Sequence, residues 1–506
     1  MTSSVLVFLY LLTTILLPFI ESKWALYCPQ ECNCTLTPAA KWVLGSVYNP
    51  ADSKKEAYMR SVVCNVLTDT VLIQMLNKIP LETQTLTLIQ HDSSKSFVLS
   101  DKHFRHIPQL LGLQIQGPRS VSAKRIAVAN GWLRSQPKLQ HLRLCRVNIT
   151  AMDSSTFTKL KGLKILHLIN VGLRSLPSEF FFGHVALQEI SLNQNDIEHV
   201  QPSIFSTLPN LKVLSLSRNR LRCFENCTGD LPLPRLQHLD LTGNQIGHIS
   251  TFTFVQMASL TSLHLEDNPI QVIFPNAFHA TPNLQTLTLG YKKQPLHVMP
   301  FSFAGLARLT ALTLPNIDNN VLEYGMFAGL TSLTHLNIIQ GRLQQVTTNA
   351  FVGAPNLERI SIRECRLKRL YRDAFSGLKY LTRLDLSRNR LVKLNPSAFF
   401  GLKRLQELFL QQNQLDVLPR RFFNVIPNSL GSLRLEGNPW NCTCEAGKWK
   451  SSAVGRVRKE GATEVKYVRD RSVEPLCHVP KQFSGKPVMD VLKKQLKCFK
   501  KKYSNT

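Results

Sequence analysis

Residues 381–391 have the sequence Leu-Thr-Arg-Leu-Asp-Leu-Ser-Arg-Asn-Arg-Leu, and this stretch decides the fold. Its pattern, Leu-x-x-Leu-x-Leu-x-x-Asn-x-Leu, recurs from Leu139 at intervals of 24 or 25 residues, and two looser copies precede it at spacings of 27 and 29. Positions 4 and 6 alternate with positions 3, 5 and 7, so each copy predicts a short strand with one apolar face. About 15 copies therefore predict a solenoid of stacked parallel strands. They begin at Thr83, Leu110, Leu139, Leu163, Leu187, Leu211, Leu236, Leu260, Leu284, Leu309, Leu333, Leu357, Leu381, Leu405 and Leu430.

Two other positions of the repeat predict buried columns. Position 19 is Phe in most copies, and Phe303 lies one residue later, so stacked rings should form a column behind the strands. These rings are Phe157, Phe181, Phe205, Phe254, Phe278, Phe327, Phe351, Phe375, Phe399 and Phe423. Position 9 is Asn in seven copies, where a buried amide can bond to turn backbone: Asn195, Asn219, Asn244, Asn268, Asn389, Asn413 and Asn438. Repeats 9 to 12 carry Lys292, Ile317, Gly341 and Cys365 instead, which we interpret as tolerated variation; a softer segment with altered curvature is the alternative.

Cysteines cluster at both ends of the repeat array. Four lie at the front (Cys28, Cys32, Cys34 and Cys64) and four at the back (Cys442, Cys444, Cys477 and Cys498). Because a terminal repeat cannot bury its own apolar face, both clusters predict disulfide-bonded caps. Spacing alone leaves three connectivities at each end. A further local disulfide is expected between Cys223 and Cys227, where one repeat lacks its Phe.

The opening of the C-terminal cluster, Asn438-Pro-Trp-Asn-Cys442-Thr-Cys444, and Lys78-Ile79-Pro80 before the first repeat carry a family resemblance. Residues 28–498 resemble the extracellular leucine-rich repeat family with cysteine-rich caps of the Slit, Nogo receptor and acid-labile-subunit type. The resemblance implies an α/β solenoid, a curved horseshoe with a parallel concave β-sheet and disulfide-capped ends. It also implies roles in adhesion, guidance, matrix or innate recognition. The pairs that it implies are Cys28 with Cys34, Cys32 with Cys64, Cys442 with Cys477, and Cys444 with Cys498.

An apolar run over residues 5–20 predicts a signal peptide and hence a secreted, extracellular protein. We expect no transmembrane or lipid anchor, because no second long apolar stretch appears. Sequons predict glycosylation at Asn33, Asn148, Asn226 and Asn441. The expected segments are a signal peptide (1–25), an N-terminal cap (26–80), about 15 repeats (81–437), a C-terminal cap (438–499) and a basic tail (500–506).

The chain is strongly basic, with 61 Lys plus Arg against 33 Asp plus Glu and a net charge of +28. With 43% hydrophobic residues, this composition excludes an acidic disordered chain and a polytopic membrane protein. Secretion and the lack of a nucleic-acid-binding module argue against nucleic acid as the partner. We expect no enzyme and no cofactor, since the zinc-protease, serine-hydrolase and phosphate-loop motifs are missing.

The outward positions of the concave sheet are the predicted binding surface, since a solenoid presents an extended face there. Repeats 2 to 4 combine basic and apolar side chains on this face, a mixture that suits an extracellular protein ligand. The candidates are Gln114, Gln116, His141, Arg143, Arg146, Ile165, His167 and Ile169. Cys145 on the same face is expected to be a free thiol or an intermolecular disulfide, whereas Cys365 should be buried and inert.

The C-terminal third carries most of the positive charge: residues 357–506 contain 32 Lys plus Arg and 13 Asp plus Glu. Stacked arginines predict an anion site, which supports an alternative function as a matrix component tethered by sulfated glycosaminoglycan. A solvated basic face is an equally simple interpretation. The candidates are Arg342, Arg359, Arg366, Arg383 and Arg390. A metal or proton-sensitive site at His238, Asp240, His264 and Glu266 is a minor alternative to a hydrated polar face, and we expect no metal.

Overall fold

The computed structural model describes residues 28–38, 58–149, 157, 159–200, 202–205, 207–222, 233–290, 294–419, 421–443, 449, 452–460 and 465–496. Of these, the residues up to Asn244 form one compact unit and those from Gln245 form another. The expected signal peptide, the basic tail, the Cys223–Cys227 pair, Asn226 and the Cys444–Cys498 pair lie outside the described residues.

The first unit is built on a sheet of parallel strands. Its strands are β1 (Cys32–Pro38), β2 (Tyr58–Val66), β3 (Thr85–Gln90), β4 (Val98–Leu99), β5 (Gly112–Gln116), β6 (Ala127–Val128), β7 (His141–Cys145), β8 (Ile165–Ile169), β9 (Glu189–Ser191), β10 (Val213–Ser215) and β11 (His238–Asp240). Strand β1 pairs antiparallel with β2, and β2, β3, β5, β7, β8, β9, β10 and β11 follow in parallel order. Helix α1 (Asp69–Leu76) joins β2 to β3, and β4 pairs with β6.

The second unit repeats this arrangement. Its strands are β12 (His248–Ile249), β13 (Ser262–His264), β14 (Val272–Ile273), β15 (Thr286–Thr288), β16 (His297–Val298), β17 (Ala311–Ile317), β18 (Val321–Leu322), β19 (His335–Gly341), β20 (Gln345–Val346), β21 (Arg359–Arg363), β22 (Arg369–Leu370), β23 (Arg383–Asp385), β24 (Glu407–Phe409), β25 (Ser432–Arg434), β26 (Trp440–Asn441), β27 (Arg456–Glu460), β28 (Val465–Arg469) and β29 (Cys477–Val479). Strands β13, β15, β17, β19, β21, β23, β24 and β25 are parallel neighbours. The predicted parallel-strand solenoid is confirmed.

Helical segments are short. The second unit contains helices α2 (Phe422–Val425) and α3 (Val488–Asp490) and a π-helical turn (Val491–Gln495). Single 3₁₀ turns across both units are Asp101–His103, Pro202–Phe205, Pro396–Phe399, Arg471–Val473 and Lys481–Phe483. Among the helices of the described residues, none combines the length and hydropathy that a membrane span requires.

Alternation along each strand decides which side chains reach solvent. In β7, Leu142 and Leu144 are buried, whereas His141, Arg143 and Cys145 are half-buried on the other face. The leucines therefore supply the core, and positions 3, 5 and 7 of the repeat form what we call the open sheet face, as the pattern predicts.

The Phe column forms as predicted, with one correction. Consecutive rings stack at centroid distances such as 5.8 Å for Phe254 and Phe278 and 5.4 Å for Phe327 and Phe351. The prediction that Phe423 continues the column is wrong, because the buried ring is Phe422. Residues 422–425 are helical, and this short helix turns the ring of Phe422 inward. Its centroid lies 5.7 Å from that of Phe399.

The Asn column is also confirmed, and it is associated with short strands. Asn195 is buried; its Nδ2 donates to the carbonyls of Leu168 and Leu192 at 2.8 and 2.9 Å, and its Oδ1 accepts from Val171 N at 2.9 Å. Strands in the Asn-containing repeats have three residues, whereas β17 and β19, whose repeats carry Ile317 and Gly341, have seven. Without the amide to bind the turn backbone, the strand in these two repeats continues its hydrogen-bond ladder. Strand β15, in the Lys292 repeat, is an exception, because it has three residues.

Both predicted caps are present in the described residues. Disulfides join Cys28 to Cys34, Cys32 to Cys64 and Cys442 to Cys477, which confirms three of the expected pairs. At the C-terminal end, Trp440 is buried and its Nε1 donates to the carbonyl of Leu435, the residue after β25, at 2.9 Å. The hairpin of β27 and β28 covers the last strand, where Ser432 Oγ donates to the carbonyl of Arg456 at 2.6 Å.

Candidate ligand-binding surfaces

The open sheet face of the first unit contains a cleft of about 190 Å³. Five predicted ligand-binding residues line it: Gln114, His141, Arg143, Ile165 and His167. The sheet register aligns Gln114, Arg143 and His167 in one row across β5, β7 and β8. The repeat spacing therefore brought these side chains together, as the sequence predicts.

The other three predicted residues lie outside the cleft lining. Gln116 and Ile169 occupy the strand ends on either side of Cys145, two residues further along their strands. Arg146 follows the end of β7 with a positive φ of 57°, and its Nε donates to the carbonyl of Gly117 at 3.2 Å. Its side chain thus stabilises a turn beside the face.

Sequence reasoning missed one wall of the cleft. Thr37, Ser61, Val63 and Thr87 also line it, and Thr37 comes from the antiparallel strand β1. Hydrogen bonds connect the hydroxyl of Ser61 to those of Thr37 and Thr85. The alternation Ser61-Val-Val63-Cys was the available signal, since it continues the outward positions into the cap.

The basic groups of the cleft differ in their pairing. His167 Nε2 lies 2.8 Å from a carboxylate oxygen of Glu189, a partner on β9 that the sequence analysis did not single out. Burial, together with the nearby Lys164 charge, lowers the pKa of His141 to about 4, so this imidazole is neutral at physiological pH. His141 Nδ1 and Arg143 Nε are buried without a hydrogen-bond partner among the described residues. Two residues that line the cleft therefore each keep one buried polar atom that is unpaired among the described residues.

The two cysteines outside the predicted disulfides differ in exposure. Cys145 is free and half-buried on the open sheet face. Cys365 is buried, its Sγ lies 3.4 Å from two backbone carbonyl oxygens, and burial raises its pKa to about 12. Cys365 therefore occupies the place of the column Asn as an inert thiol.

Two of the described sequons are exposed. Asn33 and Asn148 lie at the surface, whereas Asn441 is half-buried in β26 beside the Cys442–Cys477 disulfide. Asn33 pairs with Val63, so it shares the open sheet face with the cleft. Glycosylation at these positions remains a prediction.

The polar residues considered as a metal site have ordinary partners. Asp240 accepts hydrogen bonds from Ser215 Oγ at 2.9 Å and from Thr242 N at 3.0 Å. His264 contacts Ser262 and Thr288 hydroxyls at 3.0 Å, and its Nδ1 lies 3.8 Å from Glu266. Within the described ranges, no group of three His, Cys, Asp or Glu side chains is placed to hold a metal ion.

The five predicted anion-binding arginines do not form one site. Arg359 and Arg383 line a cleft of about 350 Å³ on the open sheet face of the second unit, where Arg383 pairs with Glu407 at 3.0 Å. Arg342 pairs with Asp318 at 3.1 Å, and Arg366 is exposed. Arg390 lies on the flank of the repeats, in a separate basic groove.

Comparisons with known proteins agree with the repeat architecture. The sequence profile described as "Leucine rich repeat" matches residues 137–197, 185–233, 234–293, 331–391, 355–415 and 379–439, together more than half of the chain. The chain is 35% identical over 162 residues to leucine-rich repeat-containing G-protein coupled receptor 5 of Rattus norvegicus, covering 32% of this chain and 17% of that protein. It is 29% identical over 201 residues to Tsukushi of Mus musculus, covering 38% of this chain and 56% of that protein.

Among solved structures, the fold is similar to that in a Toll–Spatzle complex from Drosophila, with a TM-score of 0.61 and 20% identity over 81% of this chain and 54% of that chain. The chain thus spans about half or less of the length of these relatives. The profile matches, the parallel strands and the buried leucine, phenylalanine and asparagine positions all agree. The chain belongs to the leucine-rich repeat family.

Proposed function

We propose that this chain is a secreted binding protein that presents the open sheet face of its first unit to an extracellular protein ligand. The observation that carries the proposal is the cleft on that face, whose lining brings Arg143, Ile165 and His167 together from neighbouring strands. Concave sites that combine apolar side chains with a few polar groups are the usual places where proteins bind their ligands. Catalysis and cofactor binding are not part of the proposal.

Apolar side chains lie in the cleft lining and beside it. Ile165 and Ile169 are half-buried on β8, beside the His167–Glu189 pair. Arginine next to partly exposed apolar side chains on a rigid sheet is a typical arrangement of a protein interface centre. Because the strands are held by the cores of both neighbouring repeats, little ordering entropy would be lost on binding. The Toll–Spatzle complex shows that a protein of this fold forms a complex with a second protein.

Secretion is supported by the three disulfides and by the sequons, since disulfides persist in oxidising compartments. Mass spectrometry of medium from cells that express the full chain tests this part. The expected result is a chain that lacks the first 25 or so residues and carries glycans at Asn33 or Asn148. Retention in the cytosol would contradict it.

A charge reversal tests the binding surface. The full chain would be displayed on beads and exposed to extracellular protein mixtures, beside Arg143→Glu and the control Lys161→Glu, an exposed residue outside the cleft. We expect a protein that binds the wild type and the control but is reduced at least tenfold with Arg143→Glu, since a buried unpaired carboxylate costs more than about 1.4 kcal/mol. Equal binding by all three chains would refute this surface.

A further inference from the structure

A basic groove runs along the flank of repeats 12 to 14 in the second unit, away from the strand positions that form the open sheet face. It has a volume of about 860 Å³ and contains no acidic side chain in its lining. Its cationic members are Lys368, Arg369, Arg372, Arg390 and Lys393, and all five are exposed. Of these, the sequence analysis named Arg390 alone.

Four of the five cations of this groove have no carboxylate close enough to neutralise them. Elsewhere in the same unit arginines pair with acids, as Arg388 does with Glu364 at 3.0 Å and Arg434 with Glu436. In the groove, Arg372 is paired, since its Nε lies 3.1 Å from Oδ2 of Asp373. For the remaining four groove cations, the described residues provide no carboxylate within 4.0 Å.

Repetition places these charges against one another. Arg369 and Lys393 both occupy position 13 of successive repeats, and the buried rings of the same two repeats, Phe375 and Phe399, lie 6.3 Å apart. Like charges at this spacing repel, and an anion bound between them would remove that repulsion. A guanidinium also matches the oxygen geometry of a sulfate or phosphate group.

The groove also has an apolar wall. Tyr371 and Val392 are exposed at its edge, with 41% and 45% of their surfaces accessible, while Leu370 and Leu394 are buried beneath. The C–H face of a sugar ring can pack on such a wall while its charged substituents reach the cations. A free inorganic anion would leave the wall unused.

We propose that this groove binds a sulfated polysaccharide of the extracellular matrix. The bound chain would lie across repeats 12 and 13, with sulfate groups at Arg369, Arg390 and Lys393 and a sugar face against Tyr371. This surface is separate from the cleft of the first unit, so the proposal stands independently of the protein ligand.

Heparin serves as the probe in a matched pair of variants of the full secreted chain. The test variant is Arg369→Gln with Lys393→Gln. The control is Lys379→Gln with Lys403→Gln, which removes the same charge from exposed positions of the same two repeats outside the groove. We expect heparin affinity at about 0.15 M NaCl to fall about 30-fold in the test variant, the contribution of two basic side chains at an anionic surface, and to change less than threefold in the control.

Equal losses in both variants would mean that net charge alone drives binding, and no loss in the test variant would mean that heparin binds elsewhere; either result overturns the proposal. Lysine acetylation of the unmodified chain gives a measurement that needs no variant. We expect heparin to protect Lys368 and Lys393 but not Lys379 and Lys403, whereas equal labelling with and without heparin contradicts the site.

Competition identifies the class of polyanion. Desulfated heparin should fail to displace heparin, and single-stranded DNA of equal charge or vesicles containing phosphatidylserine should displace it poorly. If either the DNA or the vesicles compete as well as heparin itself, and lose this ability in the test variant, the groove is a general polyanion site and the proposal is wrong.

Discussion

Replacing Asn195 by Ala should test how the column of buried amides holds neighbouring repeats together. The side chain makes four short bonds: Oδ1 accepts from Val171 N at 2.9 Å and Gly172 N at 3.1 Å, and Nδ2 donates to the carbonyls of Leu168 and Leu192 at 2.8 and 2.9 Å. Alanine would leave two amides and two carbonyls without these partners. Each buried group that loses its partner costs about 1–3 kcal/mol.

The lower end of that range applies here, because Asn195 has 7% of its surface exposed and water can reach part of the site. Four groups at about 1 kcal/mol give an expected loss of about 4 kcal/mol. The loss should be concentrated in the two repeats that share the amide, since a repeat contacts only its neighbours.

Cys365→Ala is the matched control at the same position of another repeat. Its thiol makes only two weak contacts at 3.4 Å, so we expect a loss of about 1 kcal/mol. Amide hydrogen exchange measured by mass spectrometry reports the local opening free energy for each repeat. If Asn195→Ala costs under about 1 kcal/mol, or no more than Cys365→Ala, the amide column does not hold the repeats as argued.

Three other predictions address charge and thiol chemistry. Glu407, with 2% of its side chain exposed, contacts Arg383 and, in the C-terminal cap, Arg458 and Tyr467. Glu407→Gln should lower the opening free energy of the cap hairpin, measured by hydrogen exchange, by about 1–3 kcal/mol. Glu460→Gln, at a side chain that is 84% exposed, should leave it unchanged. The pKa of His141 falls from its ordinary 6.5 to about 4 on folding, so the unfolded chain takes up this proton more readily than the folded one. The free energy of unfolding should therefore be undiminished above pH 6.5 and should fall as the pH drops toward 4. Urea unfolding should show His141→Gln narrowing this acid-dependent loss by about 1–2 kcal/mol, a shift discounted for partial exposure; an unchanged pH profile would contradict it. Iodoacetamide at pH 8 should label Cys145 in the folded chain and spare Cys365, whose pKa is raised to about 12; a dimer that survives without reductant and is abolished by Cys145→Ser would instead show the intermolecular disulfide.

Much of the first-unit cleft could be predicted because it depends on rung-to-rung register. Equivalent positions of successive repeats become neighbours, so Gln114, Arg143 and His167 had to share one row. The wall contributed by Thr37 and Ser61 was missed because β1 and β2 belong to the cap, outside the repeat, and β1 runs antiparallel. The sequence could not predict that the long side chain of Arg146 would fold back to bond the carbonyl of Gly117.

The positive charge of the C-terminal third illustrates the opposite case. A count of charges found it, and the column containing Arg359 and Arg383 is present in the register. However, Arg383 is paired with Glu407, 24 residues away, and that acid is in turn contacted by Tyr467, 60 residues further along. The unneutralised cations lie instead at positions 10, 12 and 13 of the repeat, beyond the strand positions.

The sequence by itself determined the strands, the buried leucines, the Phe and Asn columns and the disulfides that the resemblance implied at Cys32 and Cys442. The strands and the columns follow from a local period and from contacts between adjacent repeats, so one-dimensional spacing specifies them, whereas spacing alone leaves three connectivities for the cysteines at each end. Only the tertiary structure decided which polar groups are left without partners. Pairing depends on distances between side chains from different repeats and from the caps, and no spacing rule along the chain contains those distances.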